Sequence, residues 1–202
     1  FLIFGSSHLP QYRRARQHAM NDLIRETTGG TPQLTDSDGL NEATLVASQL
    51  NYKLGSLPLV GGNSFTLHND NHEAMRIMAQ EVNKAQRYVH FEFYITAYDE
   101  ASKVLWDALF AAQKRGVRVR VLIDHIGSRK YPSYRQLTKM LNESGIEWRL
   151  MLPIKPWRLQ WQRPDLRNHR KVLVIDGAVA FSGSQNAIHR SYDLKENVRK
   201  GL

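Results

Sequence analysis

Apolar and polar side chains alternate along Tyr88–Ile95, where Val89, Phe91, Phe93 and Ile95 are separated by His90, Glu92 and Tyr94. A period of two belongs to an extended strand, whose successive side chains point to opposite faces. The segment is therefore predicted as a strand with two unlike faces. Just upstream the period changes. Met75, Met78, Val82 and Ala85 recur at helical spacing over residues 71–86, with Asn69 or Asp70 available as the N-cap. Downstream, Asp99 can open a helix through Arg115, with Val104, Leu105, Ala108, Leu109 and Ala112 inward and Gly116 at the C-cap. Val117–Asp124 reads as a strand. Ser133 opens a further helix with Leu137, Met140 and Leu141 inward and Gly145 closing it, and Ile146–Leu150 follows as a strand. After a loop rich in proline and tryptophan over 152–167, Arg170–Ile175 and Ala178–Ser182 form two strands around Asp176-Gly177, a strong hairpin turn.

Strands that alternate with helices predict an α/β domain: a mixed, mostly parallel sheet flanked by helices, with right-handed crossovers and an antiparallel pair at the end. The stretch before it is different. Residues 27–41 are rich in Gly, Thr, Ser and Asp and read as a linker, and a weaker break follows at Gly55–Asn63. The expected division is thus 1–63 and 64–202. No internal repeat is visible.

Composition adds one strong bias. The chain of 202 residues is 42% hydrophobic and 23% charged, ordinary for a globular protein. It carries 28 Lys+Arg against 19 Asp+Glu, a formal net charge of +9. That excess favours anionic partners, whether phosphates, nucleic acid or acidic lipid, without choosing among them. There are no cysteines, which excludes disulfides and thiolate metal sites and fits a reducing compartment. No run approaches the roughly 20 apolar residues of a membrane span. The chain opens at Phe1 rather than Met, as expected of a start inside a longer reading frame. Its apolar Phe1–Phe4 is followed by Arg13, Arg14 and Arg16. On these residues alone a short buried strand or frayed terminus before a solvated basic helix is favoured over the cytoplasmic end of a membrane helix.

The chemistry lies in residues 169–186, HRKVLVIDGAVAFSGSQN. On an extended strand His169 and Lys171 project together. A neutral imidazole can attack phosphorus, and an adjacent lysine can hold the phosphoryl oxygens as charge builds. The turn at Asp176-Gly177 folds the next strand back. Gly183 allows close backbone approach, while Ser184 and Asn186 offer two further hydrogen-bond donors. This set suits a phosphodiester and requires neither metal nor cofactor. Lone histidines and lysines are usually structural, but here six identities stand in the spacing H-x-K-x4-D-x6-G-S-x-N. Chance would place them so on the order of once in several hundred thousand chains of this length.

The pattern resembles the phospholipase D superfamily at every fixed position. The resemblance implies a phospholipase D-like fold and two such motifs about a pseudo-twofold axis. One histidine forms a phosphohistidine and the other protonates the leaving alcohol. Carried over, His169 is nucleophile or general acid, Lys171 and Asn186 hold the phosphate, and Ser184 supports it. Asp176, a member of the catalytic motif, looks like a fixing group rather than a proton carrier. Weaker matches, each in the right order, resemble the bacterial cardiolipin synthases: Phe4–Leu9, Leu57-Pro58 to Gly62-Asn63, Phe93-Tyr94-Ile95, Asp124–Ser128 and Asp165–Asn168. They imply a phosphatidyltransferase making cardiolipin and glycerol from two phosphatidylglycerols. They also imply a cell-membrane location with the catalytic domain facing the cytoplasm. Phe1–Phe4 then reads better as a membrane-helix remnant, and 1–63 as a membrane-proximal extension. Only one motif is present, so the second is expected from a missing C-terminal domain or a second chain, and this chain alone is expected to be inactive. The carboxylate that orients the histidine in the family is expected beyond Leu202; Glu196 is a weak substitute.

Other signals are milder. Trp157 and Trp161 lie among seven basic residues between Arg149 and Lys171, a composition that suits an anionic bilayer surface or single-stranded nucleic acid, or tryptophans that simply pack over the core. His68 and His72 have metal-like spacing but no third ligand, and read as surface residues. His90 and Glu92 read as a satisfied pair before a cleft pair. Asp124, Gly127 and Ser128 are candidate cleft residues at the end of a parallel strand. Two other functions compete: a single-motif nuclease or phosphodiesterase of the same superfamily completing its site as a homodimer, and a silent lipid-binding module. The first has little use for residues 1–41, and the second none for His169.

Overall fold

The computed structural model describes residues 11–28, 39–55, 59–131, 133–154, 157 and 167–192. Phe1–Leu9, most of the predicted linker, Leu57-Pro58, Trp161 and Glu196 lie outside them. The chain divides into two compact units at Leu67/His68. In the first unit α1 (Gln11–Thr28) and α2 (Glu42–Gly55) are helices. Asn41 starts α2 by accepting from the Thr44 amide at 2.8 Å. Among the described residues no helix is long and apolar enough to cross a membrane.

The second unit contains α3 (Asn71–Lys84), β1 (Tyr88–Phe93), α4 (Lys103–Lys114), β2 (Arg118–Asp124), α5 (His125–Arg129), α6 (Tyr134–Glu143), β3 (Glu147–Met151), β4 (Lys171–Ile175) and β5 (Val179–Ser182). The sheet order is β3-β2-β1-β4-β5. β1, β2 and β3 are parallel, whereas β4 runs antiparallel to β1 and β5 antiparallel to β4. The result is an α/β unit with a mixed sheet, as the alternation of elements predicts. Asp70 caps α3 by accepting from the Glu73 amide at 2.8 Å. One sheet face carries Val89, Phe91, Val119, Val121 and Leu173, all buried with Met75 and Val82 of α3, Leu105 and Leu109 of α4, and Leu137 and Leu141 of α6. Fully burying each such side chain contributes about 1.5–3 kcal/mol. Tyr88, His90, Leu122, Val172 and Val174, on the other face, stay half-buried or exposed.

Two details depart from expectation. α4 begins at Lys103, because the Asp99 carboxylate takes the amides of Ala101 and Ser102 in a preceding turn. Val104, expected inward, is 40% exposed, and Trp106 is fully buried with its indole N–H on the Ala97 carbonyl at 2.8 Å. The second is α5, a five-residue helix between β2 and α6 for which the sequence reading names no element. The Asp124 carboxylate caps it by accepting from the Gly127 amide at 2.8 Å.

Candidate active site

β1 is the central strand, and its C-terminal end organises the predicted site. Phe93 opposes Lys171 in register, and the Tyr94 amide continues the ladder to the Arg170 carbonyl at 3.1 Å. His169 therefore arrives at the head of β4 beside the end of β1. His169 is exposed, and its imidazole lies nearly flat on the Tyr94 ring, with centroids 3.9 Å apart and planes inclined by 17°. The Lys171 ammonium stands 5.5 Å from the same ring centroid and donates to the His169 carbonyl at 2.7 Å. Burial pushes the lysine below the usual lysine range, since removal from water disfavours the charged form.

The run into His169 is tied down by two polar contacts. The Arg167 guanidinium donates to the Leu152 carbonyl at 2.7 Å and pairs with the Asp124 carboxylate at 3.5 Å, both side chains being buried. Asn168 donates to Glu92 at 2.7 Å and accepts from the Arg170 amide. On the other side of the site, the chain after β5 returns past β1, where Ala187 bonds with Ile95 and Ala97. That return buries Asn186, whose side-chain oxygen accepts from the Ile95 amide at 3.2 Å and whose amide group donates to the Tyr192 hydroxyl at 3.1 Å. The side-chain amide has a second hydrogen that the bond to Tyr192 does not use. Ser184 is exposed in the turn after β5.

Asp176 sits elsewhere. It lies at the opposite end of β4 from His169, in the left-handed region at φ 53°, followed by Gly177 at φ 74°. Its carboxylate accepts from the amides of Gln86, Arg87 and Tyr88 at 2.8, 2.9 and 2.8 Å. These amide bonds hold its carboxyl below the usual carboxylate range. The carboxylate thus ties the turn after β4 to the backbone at the start of β1.

Asp124, Gly127 and Ser128 are all buried under the site rather than lining an open cleft. Asp124 caps α5 and pairs with Arg167. A Cβ on Gly127 would stand 2.5 Å from the Tyr94 carbonyl oxygen and 2.9 Å from its ring. The Ser128 hydroxyl accepts from the Thr96 amide at 3.1 Å. His90 and Glu92 have separate partners, Tyr88 through ring contact and Asn168 through the hydrogen bond above. Burial, then Arg120 and Arg118, lower the His90 pKa. His72 packs edge-on against His189, with ring centroids 5.2 Å apart. Trp157 is 78% exposed.

The neighbour of His169 that the sequence did not single out for the site is Tyr94. Only its alternation in β1 and its place in a weak tripeptide match stood out, because its contacts to His169 and Gly127 lie far away in sequence.

The mixed sheet, with histidine and lysine at the head of one strand and asparagine on the returning chain, defines a phospholipase D-like domain. The family model described as cardiolipin synthase, PLD-like domain, matches residues 78–199, and the chain belongs to that family. The cardiolipin synthase of Geobacillus kaustophilus is 34% identical over 189 residues, covering 92% of this chain and 37% of its own length. The major cardiolipin synthase of Bacillus subtilis is 30% identical over 200 residues, covering 92% and 39%. The chain thus spans well under half the length of these relatives. Among solved structures, Nuc, a phospholipase D family member from Salmonella typhimurium, aligns with a TM-score of 0.42 at 23% identity, over 59% of this chain and 67% of that one.

Proposed function

We propose that the chain supplies one half of the active site of a phosphatidyltransferase that makes cardiolipin. The observation that carries this reading is the H-x-K-x4-D-x6-G-S-x-N motif, displayed with His169 against Tyr94 beside Lys171, in a chain similar to cardiolipin synthases across 92% of its length. His169 acts as nucleophile or as general acid, with a histidine of a second motif in the other role. In the first step an imidazole nitrogen attacks the phosphorus of one phosphatidylglycerol. A P–N bond forms, the P–O bond to the glycerol headgroup breaks, and the departing oxygen takes a proton from the second histidine. In the second step a headgroup hydroxyl of another phosphatidylglycerol attacks phosphorus and returns its proton to that histidine. The P–N bond breaks and cardiolipin leaves. Lys171 and the second amide hydrogen of Asn186 hold the phosphoryl oxygens, with Ser184 in support.

The second motif comes from a further domain or a second copy of the chain. The enzyme works at the cytoplasmic face of the cell membrane, and residues 1–63 form the membrane-proximal part. The net charge of +9, the exposed Arg14 and Arg16 on α1 and the exposed Trp157 support contact with anionic lipid.

The test uses the full polypeptide of the reading frame on phosphatidylglycerol vesicles. His169→Ala is expected to lower cardiolipin formation by at least ~10³-fold, as removing a nucleophile or its proton partner does. Because one histidine must be neutral and the other protonated, the wild-type rate should be bell-shaped in pH. Turnover at the wild-type level in the variant sinks the assignment. Cleavage of single-stranded DNA in preference to vesicles moves the reading to the dimeric nuclease.

A further inference from the structure

We propose that Tyr94 is the positioning residue of the catalytic histidine, its ring setting the plane in which the His169 imidazole meets phosphorus. This rests on the phosphatidyltransfer reading for its substrate, though its geometry does not depend on it. His169 is exposed just ahead of β4, where an imidazole can turn about both side-chain torsions. The broad contact in the structure is the Tyr94 face, at 3.9 Å and nearly parallel. A nitrogen lone pair lies in the plane of its ring, so a stacked partner selects the plane while leaving the reacting edge open. Reaction rates are sensitive to such orientation.

Tyr94 can serve as a fixed surface because it is itself held from several sides. Its amide bonds to Arg170 at 3.1 Å, and its carbonyl accepts from the Ser128 hydroxyl at 3.4 Å. Its ring edge leans on Gly127, where any Cβ would collide. It also packs with the small cluster of Ile95, Tyr131, Ile188 and Tyr192, separate from the main core. Burial, then the Asp124 carboxylate, push its hydroxyl above the usual phenol range, so the ring stays neutral at working pH. The Lys171 ammonium at 5.5 Å from the same ring places the phosphate-holding cation and the nucleophile on one support.

The hydroxyl is dispensable in this arrangement and the ring is not. Tyr94→Phe and Tyr94→Leu are therefore compared in the full-length protein, with His169 followed by NMR of ring-labelled histidine and assigned through His169→Ala. Ring-current shielding of the His169 carbon-bound protons should persist in Tyr94→Phe and vanish in Tyr94→Leu. On phosphatidylglycerol, kcat should fall about tenfold in Tyr94→Leu, with KM within about twofold, and return to within about twofold of wild type in Tyr94→Phe. Unchanged shielding in Tyr94→Leu overturns the proposal, as does lost shielding with kcat intact. Should Tyr94→Leu fail to fold, Tyr94→Trp replaces it: a displaced but stacked ring should keep shielding and lower kcat, and full activity with an unstacked imidazole overturns the proposal. If the wild-type protein makes no cardiolipin but cleaves another phosphodiester with the same loss in Tyr94→Leu, the lipid reading fails and the role of Tyr94 stands.

Discussion

The two ends of β4 carry residues of one sequence motif and are built on opposite plans. At the far end, Asp176 satisfies three consecutive backbone amides and is held in a left-handed turn. At the near end, His169 stacks its ring on Tyr94 and is otherwise exposed. One end is saturated and the other is supported but open. A contiguous motif is thus no measure of a contiguous site: the aspartate secures the strand on which the histidine and lysine are presented.

The largest effect should separate the ends by activity. Lys171→Ala removes the ammonium beside His169 and should lower kcat by about 10²–10³-fold, with the thermal midpoint nearly unchanged. A large fall in that midpoint would show that the near end is also structural and break the contrast. Asp176→Asn should do the reverse. It loses an anionic acceptor for three amides, so the thermal midpoint should drop by several degrees. Below that transition kcat should stay within about threefold of wild type, since charge-assisted bonds to backbone mainly order the fold. A collapse of kcat in a folded Asp176→Asn protein would move the aspartate into the chemistry.

The smallest and sharpest test is pH. The Asp176 carboxyl is lowered in the folded state from its reference of 3.8, so the folded state binds its proton less readily than the unfolded one. Its stabilisation is present above that reference and is lost as pH falls through the folded value. Acid melting should therefore be less steep in Asp176→Asn than in wild type. Lys171 is lowered by burial, so activity should begin its alkaline decline at a lower pH than an ordinary lysine would set. Stability then responds to acid through one end of β4, and activity to alkali through the other.

Most of the fold was legible because its signals are local. The alternation in β1, the helical spacing of α3 and α6, and the Asp176-Gly177 turn all lie within short windows. The departures arise where a side chain finds a hydrogen-bond partner that the hydrophobic period does not register. Trp106 turns inward because its N–H finds the Ala97 carbonyl, which leaves Val104 exposed. α5 forms where Asp124, also bound to Arg167, can cap it. The candidate site residues His169, Lys171, Ser184 and Asn186 are proposed from spacing alone. Glu92, Tyr94 and Gly127 acquire their places through partners that no local period encodes.

The Asp176 clamp also bears on synthesis. It joins Asp176 to Gln86, ninety residues apart in sequence, and the same closure pairs β4 with one side of central β1. A ribosome adding about 5–20 residues per second takes roughly 5 to 18 seconds to cover that distance. During this interval the edge of β1 that β4 will cover, where the Tyr88 carbonyl and the Tyr94 amide find their partners at the two ends of β4, has no permanent neighbour. Unpaired strand edges recruit other chains, so overexpression should succeed or fail on what shields this strand while translation proceeds.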